Sequence, residues 1–173
     1  MNTPQQQHLV DWAHWFQKNS KSTKEIYTEG AKRMDEIGRW PLVLPINSDC
    51  SGFVTLLYWL AGLPDPNNCH YNHTGYTGTL LANNRHITID QVQPGDLVVY
   101  GGGVGVHTAI VIEVHGHDIM TVSYGDNNGA IYCWVNAPQL VPDKGVPVDG
   151  RTPQTFLRLN QTRVRPAKPI PAA

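Results

Sequence analysis

The sequence predicts an α+β domain, with helices in its first part and an antiparallel sheet in its second. Three features carry that prediction. Up to about residue 62 apolar residues recur every three to four positions, from residue 96 they alternate, and a turn-rich segment of Pro, Asn, Gly and Tyr separates the two regimes. With 173 residues the chain is long enough for one domain that buries a core without disulfides or a structural metal. That domain is expected over residues 1–160, and residues 161–173, with Pro166, Pro169 and Pro171, are expected to form a flexible tail.

Residues 3–18 place Leu9, Trp12, Ala13, Trp15 and Phe16 along one side of a helix. Residues 22–37 are polar, with Ile26, Tyr27, Met34 and Ile37 as apolar points. Gly30 argues against one unbroken helix, so a helix or helical turn is expected there. Pro41 and Pro45 make residues 40–46 an extended connection. The best-signalled helix follows, four turns opening at Cys50. Asn47 or Ser48 can cap it, Asp49 adds negative charge to its start, and Phe53, Leu56, Leu57 and Leu60 form its buried face. Gly62 and Pro64 stop it.

Residues 63–86 read as a long loop, which the interleaved Tyr71 and Tyr76 mark as an ordered binding surface, with one helical turn over residues 79–83. Pro94-Gly95 then turns into a strand at residues 96–100, and a glycine run leads to a second strand at 106–114. A tip at 115–118 precedes a third strand at 119–124, and the turn at 126–129 a fourth at 130–135. These four form an antiparallel meander, to which residues 155–159 can add a last strand.

Composition removes several functions. Thirteen Lys and Arg balance fourteen Asp and Glu, so nothing points to nucleic acid or an anionic membrane as partner. No apolar run approaches the ~20 residues of a membrane span, so no membrane insertion is expected. Met1 is followed by polar residues rather than a basic start and apolar stretch, so no signal peptide is expected. Cys50, Cys69 and Cys133 are an odd, dispersed set that suits a free reactive thiol better than a disulfide framework. Cys69, His70 and His73 match no standard zinc spacing, and no metal or other cofactor is expected. The glycine run lacks the Lys-Ser/Thr ending of a phosphate loop.

The chemistry centres on Cys50. At a helix start a thiol faces unpaired N–H groups and the positive end of the dipole, which favour the thiolate. A free cysteine is often only a small buried hydrophobe, but Cys50 stands between Asp49 and Ser51 in a polar turn. His107 opens a strand straight after the glycine run. It shares a face with Ala109 and Val111, expected to be the face that the Cys50 helix covers. Cysteine at a helix start and histidine at a strand start suit a thiolate-imidazole pair.

Three motifs in order, Asp49-Cys50-Ser51-Gly52-Phe53-Val54, Pro94-Gly95-Asp96-Leu97-Val98-Val99-Tyr100 and His107-Thr108-Ala109-Ile110-Val111, resemble the NlpC-type family of papain-like cysteine peptidases. The resemblance implies a papain-like domain with Cys50 as nucleophile and His107 as base. It also implies a third polar residue, often His, at the end of the next strand. Tyr124 falls in that slot; Asp126 at the following turn brings a charge and is slightly preferred, Asn127 is a weaker substitute, and water serves His107 if none of them does. The family's oxyanion-assisting tyrosine stands shortly before the cysteine motif; this chain has Trp40 there, and its nearest upstream tyrosine is Tyr27. Tyr71, Tyr76, Trp40, Asp49 and Ser51 are candidate substrate contacts.

The segment Tyr71-Asn72-His73-Thr74-Gly75-Tyr76-Thr77-Gly78-Thr79-Leu80-Leu81 is similar to one in lysis-type domains, or endolysins, of phages that infect mycobacteria and relatives. The implied activity is hydrolysis of an amide in the stem peptide of bacterial peptidoglycan. The enzyme would be made in the host cytoplasm and act at the cell wall. Two alternatives stand beside it: an acyltransferase or deamidase on the same Cys-His scaffold, and a wall-binding or virion structural module without activity.

Overall fold

The computed structural model of the chain describes residues 3–20, 26–126, 129–137, 139–141, 146–160 and 164–171. The first half holds α1 (Pro4–Asn19), β1 (Ile26–Tyr27), a 3-10 turn (Ala31–Met34), β2 (Asn47–Ser48), α2 (Cys50–Leu60) and α3 (Thr77–Asn83). The second holds β3 (Arg85–Ile87), β4 (Leu97–Tyr100), β5 (His107–His115), β6 (Asp118–Asp126), β7 (Gly129–Trp134), β8 (Gln139–Val141), β9 (Val146–Val148) and β10 (Gln154–Arg158).

α1 begins with a capping box in which Thr3 Oγ1 accepts the Gln6 N–H and the Gln6 side chain accepts the Thr3 N–H, with Pro4 in the first turn. Its buried face, Leu9, Val10, Trp12, Ala13 and Phe16, meets α2, where Phe16 and Phe53 pack edge to face at 5.3 Å. All eleven residues of α2 are buried, which its nearly uniform apolar sequence requires. Its cap is Asp49, which accepts the Gly52 N–H, rather than Asn47 or Ser48. Those two residues are extended and pair in parallel with β1, Ile26 opposite Asn47 and Tyr27 opposite Ser48.

α2 closes after three turns, at Leu60, instead of four. Gly62 follows at φ +73, and a Cβ there would lie 2.2 Å from the Arg165 carbonyl oxygen, so both backbone conformation and space demand glycine. Residues 164–171 are therefore not a loose tail. The Arg165 N–H donates to the Gly62 carbonyl at 2.6 Å and the Lys168 N–H to the Leu60 carbonyl at 2.7 Å, which satisfies carbonyls at the helix end. The Arg165 guanidinium lies 4.4 Å over the Tyr71 ring and the Lys168 ammonium 5.2 Å over Trp59, both near the negative end of α2. Where a helix or helical turn is expected over residues 22–37, the described residues form β1 and then the short 3-10 turn.

The sheet runs β3-β10-β4-β5-β6-β7 with every neighbouring pair antiparallel, so the meander β4-β5-β6-β7 fills one side of it up to the β7 edge and β10 returns to pair with β4. β3 at one edge and the separate β8–β9 hairpin have no counterpart in the sequence reading. Facing residues define two sides. Leu97, Ile110 and Val122 line up on one and pack with α1 and α2; Val98, Ala109 and Ser123 line up on the other, beside Tyr100, Val111 and Phe156. Among the described residues no helix is long and apolar enough to cross a membrane.

Candidate active site

Cys50 occupies the first position of α2 and is 6% exposed at the floor of a cleft of about 230 Å3. The cleft walls include Asp49 and Ser51 from the helix start, Tyr76 and Thr77 at the start of α3, Glu29, and Gly105 and Val106 leading into β5. Three donors reach the sulfur: the N–H groups of Ser51 and Thr108 and the Tyr27 hydroxyl. The Thr108 contact follows from the register. Pairing of β5 with β6 runs out at Ala109 opposite Ser123, and the N–H of Thr108 lies just beyond it. Cys50 thus sits one peptide unit from His107.

Burial nevertheless dominates the acidity of this thiol. Desolvation first, then the Asp49 charge, push its pKa up to about 12 against the pull of the three donors. The expected thiolate of a helix start is corrected on this point: a few N–H groups lower the pKa less than loss of water raises it.

His107 is fully buried, its Nε2 lies 2.6 Å from Ser123 Oγ, and its ring centroid is 5.9 Å from that of Tyr100. It does share a face with Ala109 and Val111, but α2 covers the opposite face, that of Leu97, Ile110 and Val122. Cys50 meets this strand through the N–H of Thr108, at the end where β5 begins, not across the helix-covered face.

The side chain hydrogen-bonded to the His107 ring is that of Ser123. Tyr124, one residue on, necessarily points to the other side, where it stacks on Phe53 at 5.1 Å and donates to the Ile46 carbonyl at 3.2 Å. Asp126 pairs through its backbone with Gly129 past an irregularity in β6, and its side chain, like the whole of Asn127, lies outside the described residues. The signal that finds Ser123 is the facing pair: a residue opposite Ala109 stands diagonally beside His107. Tyr27 was within reach of the sequence only as the nearest upstream tyrosine. Its pairing with Ser48 carries it to within two residues of Cys50.

The five candidate substrate contacts divide. Tyr76, 49% exposed, lines the cleft, as do Asp49 and Ser51. Tyr71 does not: its hydroxyl donates to the Leu63 carbonyl at 2.8 Å and its ring lies under Arg165. Trp40 also stands away from the cleft, edge to face with Trp12 at 6.3 Å and beneath the Lys168 ammonium. Both aromatic rings go where the docked C-terminal segment supplies a cation.

Residues 25–131 match the NlpC/P60 family. The probable endopeptidase p60 of Listeria grayi is 33% identical over 97 residues, and the match spans 56% of this chain but only 17% of that protein. The P60 domain of an antigen from M. avium subspecies paratuberculosis superposes with a TM-score of 0.53 at 16% identity, over 91% of this chain and 98% of that one. RipD from Mycobacterium tuberculosis, described as a non-catalytic NlpC/p60 domain protein adapted to peptidoglycan binding, gives 0.52 at 16% identity over 91% and 98%. The peptidoglycan hydrolase RipB of the same organism gives 0.50 at 15% identity over 94% and 70%. These structural likenesses are likenesses of fold.

Proposed function

The chain belongs to the NlpC/P60 family, and on that premise we propose that it is a cysteine peptidase that hydrolyses an amide bond in the stem peptide of bacterial peptidoglycan. One observation carries the reading: the Cys50 sulfur, at the floor of an open cleft, accepts the N–H of the residue that follows His107. With Nε2 engaged by Ser123, Nδ1 is the ring nitrogen that serves the thiol. Proton transfer from Sγ to Nδ1 accompanies attack on the peptide carbonyl. The backbone N–H of Cys50 and the Tyr27 hydroxyl stabilise the oxyanion. The proton then passes to the leaving amine as the C–N bond breaks, leaving a thioester. Water, deprotonated by His107, adds to it and breaks the C–S bond, which releases the acid and restores the thiol.

The relatives support the substrate class, since one bears the name endopeptidase and another that of peptidoglycan hydrolase. A phage-type lysis role at the host wall rests on the similarity of residues 71–81 to such domains. A second reading, a wall-binding module without turnover, is favoured by the neutral Ser123 beside the histidine and by the high thiol pKa. Digestion of purified peptidoglycan, with mass spectrometry of the released fragments, separates the two. Soluble peptide fragments from the wild type, lost in Cys50→Ala and His107→Ala, are expected. Binding without fragments, or activity kept in Cys50→Ala, would reject the enzyme assignment, and transfer to an added amine in preference to water would mark an acyltransferase.

A further inference from the structure

The start of α2 is held by a cation to which the mechanism above gives no part. Arg33, in the 3-10 turn, is 17% exposed in its side chain. Its Nη1 donates to both Asp49 oxygens, at 3.1 and 3.3 Å, and to Ser51 Oγ at 3.1 Å, while Nη2 donates to the Gly75 carbonyl. The backbone of Arg33 fits the same turn. Its carbonyl accepts Ser48 Oγ at 2.9 Å, and a Cβ on Gly52 would come within 2.5 Å of that oxygen. One side chain therefore grips the residues on either side of Cys50 and the residue before Tyr76, which stands in the cleft wall.

We propose that Arg33 is a positioning residue of this site: it offsets the Asp49 charge beside Cys50 and ties the loop bearing Tyr76 to the helix start, so that it sets both thiol reactivity and the width of the cleft. The proposal rests on the reading of Cys50 as the nucleophile. The charged and titratable groups around the thiol are Asp49 from its own turn, Glu29 on the cleft wall and Tyr27 from β1, with His107 of β5 next in sequence to the Thr108 whose N–H reaches the sulfur. None of the described cleft-lining residues is cationic. Asp49, the second contributor to the raised thiol pKa, has its counter-charge in Arg33, behind the helix start. Lysine would supply the charge but not the fork that spans from Asp49 to Gly75.

The electrostatic part is tested without turnover. In a Cys69→Ser/Cys133→Ser background, the rate of Cys50 alkylation by iodoacetamide is followed between pH 7 and 10, and the melting temperature of each variant is recorded. Arg33→Met should alkylate about tenfold more slowly at a given pH, the change that one unit of thiol pKa brings. Arg33→Lys should stay close to the parent, and Asp49→Asn added to Arg33→Met should restore the rate. Asp49→Asn alone keeps a capping residue and should alkylate faster than the parent, which decides the matter if Arg33→Met does not fold. A folded Arg33→Met with the parent profile, an Arg33→Lys as slow as Arg33→Met, or no acceleration by Asp49→Asn overturns the electrostatic part. For the tether, Arg33→Lys should raise KM several-fold with kcat kept, and an unchanged KM overturns it. Failure of the nucleophile reading shows separately, as activity retained by Cys50→Ala.

Discussion

Replacing Ser123 by alanine removes the group that holds His107. The bond lost is 2.6 Å long, between a fully buried ring and a hydroxyl on a residue 2% exposed, so water has little access to replace it. Leaving a buried donor without its acceptor costs about 1–3 kcal/mol. It also releases the preference for the tautomer that presents Nδ1 to Cys50. If that cost falls on the productive arrangement, kcat/KM drops by about five- to 150-fold. The assay is release of soluble peptide from purified peptidoglycan at 25 °C, with calorimetric melting to confirm that the variant is folded. Ser123→Asp supplies a charged acceptor that stabilises the imidazolium, so Cys50 in that variant should react faster with iodoacetamide at pH 7. A Ser123→Ala enzyme with wild-type kcat/KM across the pH range, together with a Ser123→Asp thiol no more reactive than wild type, would refute the assignment of Ser123 as the partner of the base.

The remaining expectations concern stability and the cleft wall. Because the Cys50 pKa rises from 9.0 to about 12 on folding, the folded chain keeps a proton that the unfolded chain releases above pH 9. The stability from this group is thus present below pH 9 and is lost, at about 1.4 kcal/mol per pH unit, as pH rises toward 12. The melting temperature of the wild type should therefore fall faster than that of Cys50→Ala between pH 9 and 11, by about 3–6 °C per pH unit, and parallel curves would contradict the buried thiol. Truncation after Asn160 removes two backbone bonds to α2 and two cations over aromatic rings, worth together about 2–5 kcal/mol. A drop of about 5 °C or more in melting temperature is expected, and an unchanged value would mean that the segment does not dock in solution. Tyr76→Ala should raise KM with little change in melting temperature, whereas Tyr71→Ala should lower the melting temperature and leave KM alone; the opposite pattern would exchange their roles.

How much the chain discloses depends on the range over which each feature is decided. The start of α2 at Cys50, the turn at Pro94-Gly95 and the four meander strands follow from caps, turn residues and apolar periods spread over a few neighbouring positions. Those signals are local, and the elements formed where they pointed. The cap itself moved from Asn47 or Ser48 to Asp49 because a strand well upstream, β1 at Ile26–Tyr27, claims the extended backbone of β2.

The sequence by itself determined the helix that presents Cys50, the strand that begins at His107, and the rule that alternate residues of a strand share a face. Only the tertiary structure decided which face the helices cover. Alternation is indifferent to that choice, and an error of one residue exchanges Ser123 for Tyr124. Tyr27 reaches the thiol through a parallel pairing with β2, Arg33 reaches Asp49 and Gly75 from a separate turn, and residues 164–171 return to close α2. Each of these contacts joins positions far apart in sequence. Their partners are chosen by the packing of the completed fold, where burial of apolar faces fixes which distant backbone and side-chain groups meet, and no period or cap within one segment records that outcome.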